Sequence, residues 1–156
     1  MATKLFREVE LVLPMEPNRE IEAGETASEL AASVGMHPDR IDELRMAVHE
    51  ACINAFEHSL APDEKVYLTM RILGEDRPEV LRVTVRDMGV GFSPEIVDGT
   101  IPPKREGPRK RGWGLTIIRN LMDDVEIQSN AGGTVVVMEK EIESEPPSMH
   151  PGESRR

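Results

Sequence analysis

The spacing of apolar residues changes period several times along the chain, and each change marks an element. Between residues 4 and 13 the period is two, with Leu5, Val9, Leu11 and Leu13 on one side and Lys4, Glu8 and Glu10 on the other. This predicts a half-buried strand, ended by Pro14 and Pro17. From Arg19 to Val34 the period becomes helical through Ile21, Ala27, Leu30, Ala31 and Val34, weakened by Gly24 and closed by Gly35. A second helix opens at Pro38, which suits a first turn, with Asp39 and Asp42 near the positive end. Its buried stripe is Ile41, Leu44, Val48, Ala51, Cys52 and Ala55.

Strict alternation returns with Val66, Leu68, Met70 and Ile72 inward, and again with Leu81, Val83 and Val85 after a loop at 74–78. These two runs predict a hairpin. Leu115, Ile118, Leu121 and Met122 predict a short helix. Val125–Ser129 and Thr134–Ile142 predict a last hairpin across Asn130-Ala131-Gly132-Gly133. Because the strands alternate, one sheet face is packed and the other is wet, so the helices belong on one side only. The expectation is an α+β fold, a two-layer α/β sandwich with a mostly antiparallel sheet and helices on one face. One domain should span residues 1–142, with 143–156, rich in proline, as a disordered tail.

Composition narrows the function. A net charge of -10 over 156 residues argues against a general nucleic-acid binder and against an anionic membrane surface. No apolar run spans a bilayer and the first residues lack a signal-peptide core, which points to the cytoplasm. The single cysteine, Cys52, lies on the buried stripe of the second helix and reads as an inert thiol.

Four stretches carry candidate chemistry. Glu50, Asn54 and His58 stand four residues apart on one flank of the second helix, either a solvated face or a line of polar function. Asparagine is a weak helix former, so position 54 asks for a reason, and a ligand is one. Asp87-Met88-Gly89-Val90-Gly91 follows a strand, where a turn is one reading and an acceptor for an exocyclic amine is the other, with backbone close to a flat ligand. Residues 92–111 hold four prolines, two glycines and no periodicity, a functional lid or a disordered loop. Lys104, Arg105, Arg109, Lys110 and Arg111 make that loop basic in an acidic chain. Such a cluster suits polyphosphate. Gly112-Trp113-Gly114-Leu115 then opens a helix, and glycine-rich backbone there can hold an anion. Trp113 either packs over the ligand or anchors the helix. His49-Glu50-Ala51-Cys52-Ile53 is not a zinc-protease helix, because isoleucine stands where the second histidine is needed.

In this order and spacing, Glu50-Ala51-x-x-Asn54-Ala55-x-x-His58, Asp87-x-Gly89-x-Gly91-Phe92-x-Pro94, Gly112-x-Gly114-Leu115 and Gly133-Thr134 resemble the nucleotide boxes of the ATPase superfamily that contains histidine kinases, DNA gyrase and MutL. The resemblance covers about residues 5–142 and is strongest to the anti-sigma-factor serine/threonine kinase branch. It implies the Bergerat-type ATP-binding fold and the cofactors ATP and Mg²⁺. It implies Asn54 as magnesium ligand, Glu50 as general base, and Asp87 on the adenine amino group with Thr134 near the base. It also implies Gly89 and Gly91 in close backbone approach, Gly112 and Gly114 around phosphate beside Leu115, and Lys110 or Arg111 at the γ-phosphate. As partners it implies a sigma factor and a small anti-sigma-factor antagonist phosphorylated on serine, with a homodimer, while the acidic charge argues for no direct nucleic acid or membrane contact. Two other readings are a nucleotide-binding regulatory module without kinase activity and a detached histidine-kinase catalytic domain.

Overall fold

A computed structural model describes residues 3–89 and 111–142 of the chain, without the side chains of His58 and Arg111–Trp113. In chain order the elements are β1 (Lys4–Pro14), α1 (Arg19–Ser33), α2 (Pro38–His58), β2 (Lys65–Gly74), β3 (Pro78–Asp87), α3 (Arg111–Leu121), β4 (Asp124–Asn130) and β5 (Gly133–Glu141). The five strands form one sheet in the order β1-β2-β3-β5-β4, with every neighbouring pair antiparallel. Both predicted hairpins are present, β2–β3 and β4–β5, and β5 lies between β3 and β4.

Alternation decides which side chains enter the core. Val66, Leu68, Met70 and Ile72 of β2, Leu81, Val83 and Val85 of β3, and Val136 and Met138 of β5 are buried against the helices. The helices supply Ala23, Ala27 and Leu30, then Leu44, Val48 and Cys52, then Leu115 and Ile118. The sandwich therefore has two layers, as the wet outer face required.

The edge strand β1 departs from the expected pattern. Its register against β2 shifts between Leu5 and Arg7, which breaks the alternation, so Leu5 is 53% exposed instead of facing inward. Only Leu13 of β1 is fully buried, with Val9 and Leu11 packed part-way.

Local chemistry sets the helix ends. α1 stops where Gly35 takes φ 83, a left-handed conformation that glycine adopts without a Cβ penalty. Pro38 is the first residue of α2, and the His37 ring caps it by accepting from the Asp39 backbone N–H at 3.0 Å. At 21 residues, α2 is about 30 Å long. Beside its first turns, Lys140 of β5 donates to Glu43 at 2.7 Å and to the carbonyl of Leu121 at the end of α3. Arg40 reaches Asp123 at 2.7 Å and the Glu141 carbonyl at 3.0 Å. The other end of α2 runs over the ends of β3 and β5, where the polar residues collect.

Candidate nucleotide site

Strand register builds this end of the molecule. One transverse row crosses the sheet as Leu13, Val66, Asp87, Thr134 and Ser129. The next row along, Leu11, Leu68, Val85, Val136 and Ile127, is wholly apolar. A carboxylate and two hydroxyls therefore replace hydrocarbon on three adjacent strands of the helix-facing layer. Asp87 is 7% exposed and Thr134 is 5% exposed. Buried polar groups at this depth persist when they are hydrogen-bonded. Asp87 Oδ1 accepts from the Gly89 backbone N–H at 2.8 Å, and the hydroxyls of Ser129 and Thr134 lie 3.1 Å apart. A carboxylate has about four lone-pair positions, so Asp87 keeps capacity to accept further donors.

Two glycines let backbone close around this carboxylate. Gly133 has φ 138, and a Cβ there would lie 2.1 Å from the Asp87 carbonyl oxygen. At Gly89 a Cβ would lie 1.8 Å from the Ser59 carbonyl oxygen. A side chain at Gly133 would push β5 from the end of β3, and one at Gly89 would push the end of β3 from the end of α2. A cavity of about 160 Å³ opens beside Asp87 and Gly133 on the outer side of the sheet, where Arg86, Gln128 and Val135 line it. A larger one of about 760 Å³ lies at the far end of the sheet, between Ser33, Arg77 and Glu141, away from all of these groups.

The second helix brings its polar flank to the same end. Asn54 is 6% exposed, a carboxamide held almost wholly inside, and Glu50 is half-buried one turn earlier. Neighbouring groups are tuned by burial. The Cys52 thiol is pushed up to about 12 by burial, with the charge of Glu20 adding to it. The His49 imidazole is held below 6.5 by burial, with Arg45 acting in the same direction and Glu20 and Glu50 opposing.

The third wall is the start of α3, which opens over Gly112-Trp113-Gly114-Leu115 as the sequence indicated. Arg111, expected at the end of the loop, is the first residue of α3, so Gly112 and Gly114 lie in the first turn of the helix. First-turn N–H groups have no intrahelical acceptor and are free to meet an anion. Gly114 and Leu115 are buried. Gly91, Lys110 and the rest of the basic loop lie outside the described residues, as do the side chains of Arg111 and His58.

The donor set limits what could bind. Among the described residues no group of three or more His, Cys, Asp or Glu side chains is placed to hold a metal ion. A single amide oxygen at Asn54 fits a hard cation that keeps its waters and bridges phosphates, and does not fit zinc. Sequence patterning missed Ser59, whose buried hydroxyl lies against Gly89.

Comparison with known proteins agrees with this geometry. The family model of the histidine kinase-like ATPase domain matches residues 13–140. A serine-protein kinase RsbW of Bacillus velezensis is 34% identical over 139 residues, covering 83% of this chain and 82% of that protein. The serine-protein kinase RsbW of Bacillus subtilis is 32% identical over the same shares. An anti-sigma F factor of Geobacillus kaustophilus is 32% identical, covering 75% of this chain and 80% of that one. Among solved structures, the RsbU and RsbW domains of a Mycobacterium tuberculosis protein superpose with a TM-score of 0.64 at 20% identity. That match covers 86% of this chain but 32% of the mycobacterial one, and it shows a shared fold. No helix among the described residues is long and apolar enough to cross a membrane. The chain belongs to the histidine kinase-like ATPase domain family.

Proposed function

We propose that this protein is an ATP- and Mg²⁺-dependent protein serine/threonine kinase that also acts as an anti-sigma switch. It restrains a sigma factor, phosphorylates a serine of a small antagonist protein, and releases the sigma factor when the unphosphorylated antagonist binds. The observation that carries this reading is the buried row Asp87, Thr134 and Ser129, closed by Gly89 and Gly133, at the end of the helix that bears Glu50 and Asn54.

Each residue has one task in this reading. Asp87 accepts the exocyclic amine of adenine with the lone pairs that Gly89 leaves, and Thr134 borders the base. Gly89 and Gly91 give the base a flat backbone wall. Asn54 would hold magnesium through its amide oxygen, and the chemistry such an ion would supply is neutralisation of phosphate charge. The α3 first turn at Gly112 and Gly114, next to Leu115, cradles phosphate, and Lys110 or Arg111 meets the γ-phosphate. Glu50 takes the proton of the attacking serine hydroxyl. The serine oxygen then bonds to the γ-phosphorus, the bond to the β-γ bridging oxygen breaks, and ADP leaves with that electron pair.

The same reading makes the protein a cytoplasmic homodimer that contacts neither nucleic acid nor membrane directly. A net charge of -10 supports the last point. Support for the dimer comes from β1, an edge strand that leaves Leu5 and Val12 more than half exposed. The deciding experiment follows labelled γ-phosphate from ATP to a serine of an antagonist-type protein. Wild type should transfer it only with Mg²⁺, Glu50→Gln should bind ATP and transfer nothing, and Asp87→Asn should lose binding as well. Full transfer by Glu50→Gln, or a wild type that binds no ATP, overturns the proposal.

A further inference from the structure

The loop between α2 and β2 carries a feature that the assigned site residues leave unexplained. Ser59 caps α2 through its backbone N–H, which donates to the Ala55 carbonyl at 3.0 Å. Its side chain is 5% exposed, and its hydroxyl has no hydrogen-bond partner among the described residues. Three hydroxyls of α1 behave differently. Thr26, Ser28 and Ser33 donate back to the carbonyls of Glu22, Gly24 and Leu30 at 3.0, 2.8 and 2.6 Å. That back-bond is the usual recourse of a serine in a helix. Ser59 forgoes it and turns its Oγ toward Gly89, where it would lie 2.4 Å from a Cβ.

The surrounding backbone holds this placement against a conformational penalty. Leu60, immediately after Ser59, has φ 56, and Glu64 has φ 53. Non-glycine residues adopt left-handed backbone at a cost, and Leu60, 77% exposed, recovers nothing by burial. The rest of the loop is tied down. Asp63 accepts from the Tyr67 hydroxyl at 2.6 Å and from the Lys65 N–H at 3.2 Å, and the Glu64 carbonyl accepts from the Met15 N–H at 2.9 Å. Left-handed backbone at a non-glycine residue and a buried hydroxyl without a partner both cost free energy, and such costs collect at functional sites.

We infer that Ser59 is a further base-contacting residue of this site, its hydroxyl donating, directly or through one water, to ring nitrogen N1 of adenine. The inference rests on the nucleotide-site reading above. Adenine presents an amino donor beside a ring-nitrogen acceptor, and Asp87 supplies an acceptor alone. The hydroxyl of Thr134 already shares a hydrogen bond with Ser129. Ser59 meets the same Gly89 backbone whose N–H binds Asp87, and its hydroxyl is a donor without a partner among the described residues. Acceptor and donor side by side match the amidine edge of adenine and oppose the O6 and N1–H edge of guanine.

Calorimetric titration of the full chain with ATP, ADP and 1-deaza-ATP in Mg²⁺ tests this, using wild type, Ser59→Ala and Asp87→Asn. Ser59→Ala should weaken ATP and ADP equally, by about 2- to 10-fold, the worth of one hydrogen bond. With 1-deaza-ATP, which lacks the ring nitrogen, wild type and Ser59→Ala should bind alike. Without nucleotide, Ser59→Ala should melt at the wild-type temperature or above it, since it removes an unsatisfied group. Undiminished ATP binding by Ser59→Ala, where Asp87→Asn has lost it, overturns the inference and leaves the site reading intact. The same penalty with 1-deaza-ATP, or a lower melting temperature, shows a structural role and also overturns it. A wild type that binds no nucleotide overturns the site reading and this inference with it.

Discussion

The imidazole of His49 occupies the space that a side chain at position 24 would need: a Cβ on Gly24 would lie 2.2 Å from His49 Nε2. Glycine in mid-helix normally costs about 1 kcal/mol relative to alanine. Here it lets α1 and α2 approach with a histidine ring between them. Gly24→Ala should therefore destabilise the protein by about 1 kcal/mol, as overpacking does. In a His49→Ala background the same change should stabilise by about 0.5–1 kcal/mol. Urea denaturation of the four proteins checks this, and additive effects would show that the two residues do not compete for space.

His49 should also make stability depend on pH. Burial lowers its folded-state value below 6.5, Arg45 lowers it further, and Glu20 of α1 and Glu50 of α2 oppose. Above 6.5 the ring is neutral in both states and contributes no slope. As pH falls below 6.5 the unfolded chain takes up a proton that the folded one does not, so stability declines until the folded-state value is reached. Denaturation midpoints at pH 7.5 and 5.5 should differ less in His49→Gln than in wild type. The gap should widen in Glu20→Gln, which removes an opposing charge.

The fold was legible because alternation and helical spacing are local signals that the packing reinforces. Leu68, Met70, Leu81, Val83, Leu44 and Val48 all lie where their spacing put them. Leu5 did not, because a bulge at an edge strand is set by pairing with β2 and leaves no mark in the alternation. In the site, Asp87 and Thr134 were readable as parts of motifs, but their adjacency follows from strand order, which places β5 beside β3. Gly24 read as a helix weakness because its partner is 25 residues away. Ser59 carried no pattern at all, since an unsatisfied hydroxyl is a property of three-dimensional surroundings.

Cys52 should resist thiol reagents in the native protein. It is fully buried on the core side of α2, and burial raises its thiol to about 12, with Glu20 contributing. The thiolate is the reactive form, and at pH 8 roughly one molecule in ten thousand would carry it. Labelling with a maleimide at pH 8 should be negligible over an hour in buffer and complete within minutes in 6 M guanidinium. Rapid native labelling would mean that α2 separates from the sheet on that timescale, and the core assignment of this stripe would have to be revised.

Lys140 anchors the end of α2 remote from the proposed site. It is 3% exposed on the helix-facing side of β5, and its Nζ joins Glu43 of α2 to the Leu121 carbonyl that ends α3. Lys140→Ala should cost about 3 kcal/mol, because it opens a cavity and leaves a part-buried carbonyl unpaired, while the half-exposed Glu43 turns to water. Lys140→Met keeps the volume and should cost less, which thermal melting of both variants would measure. Position 140 lies six residues along β5 from Thr134, about 20 Å at ~3.4 Å per residue. Nucleotide affinity of folded Lys140→Met should therefore equal that of wild type. Weakened binding in that variant would mean that the far anchor sets the angle of α2, and with it the placement of Glu50 and Asn54.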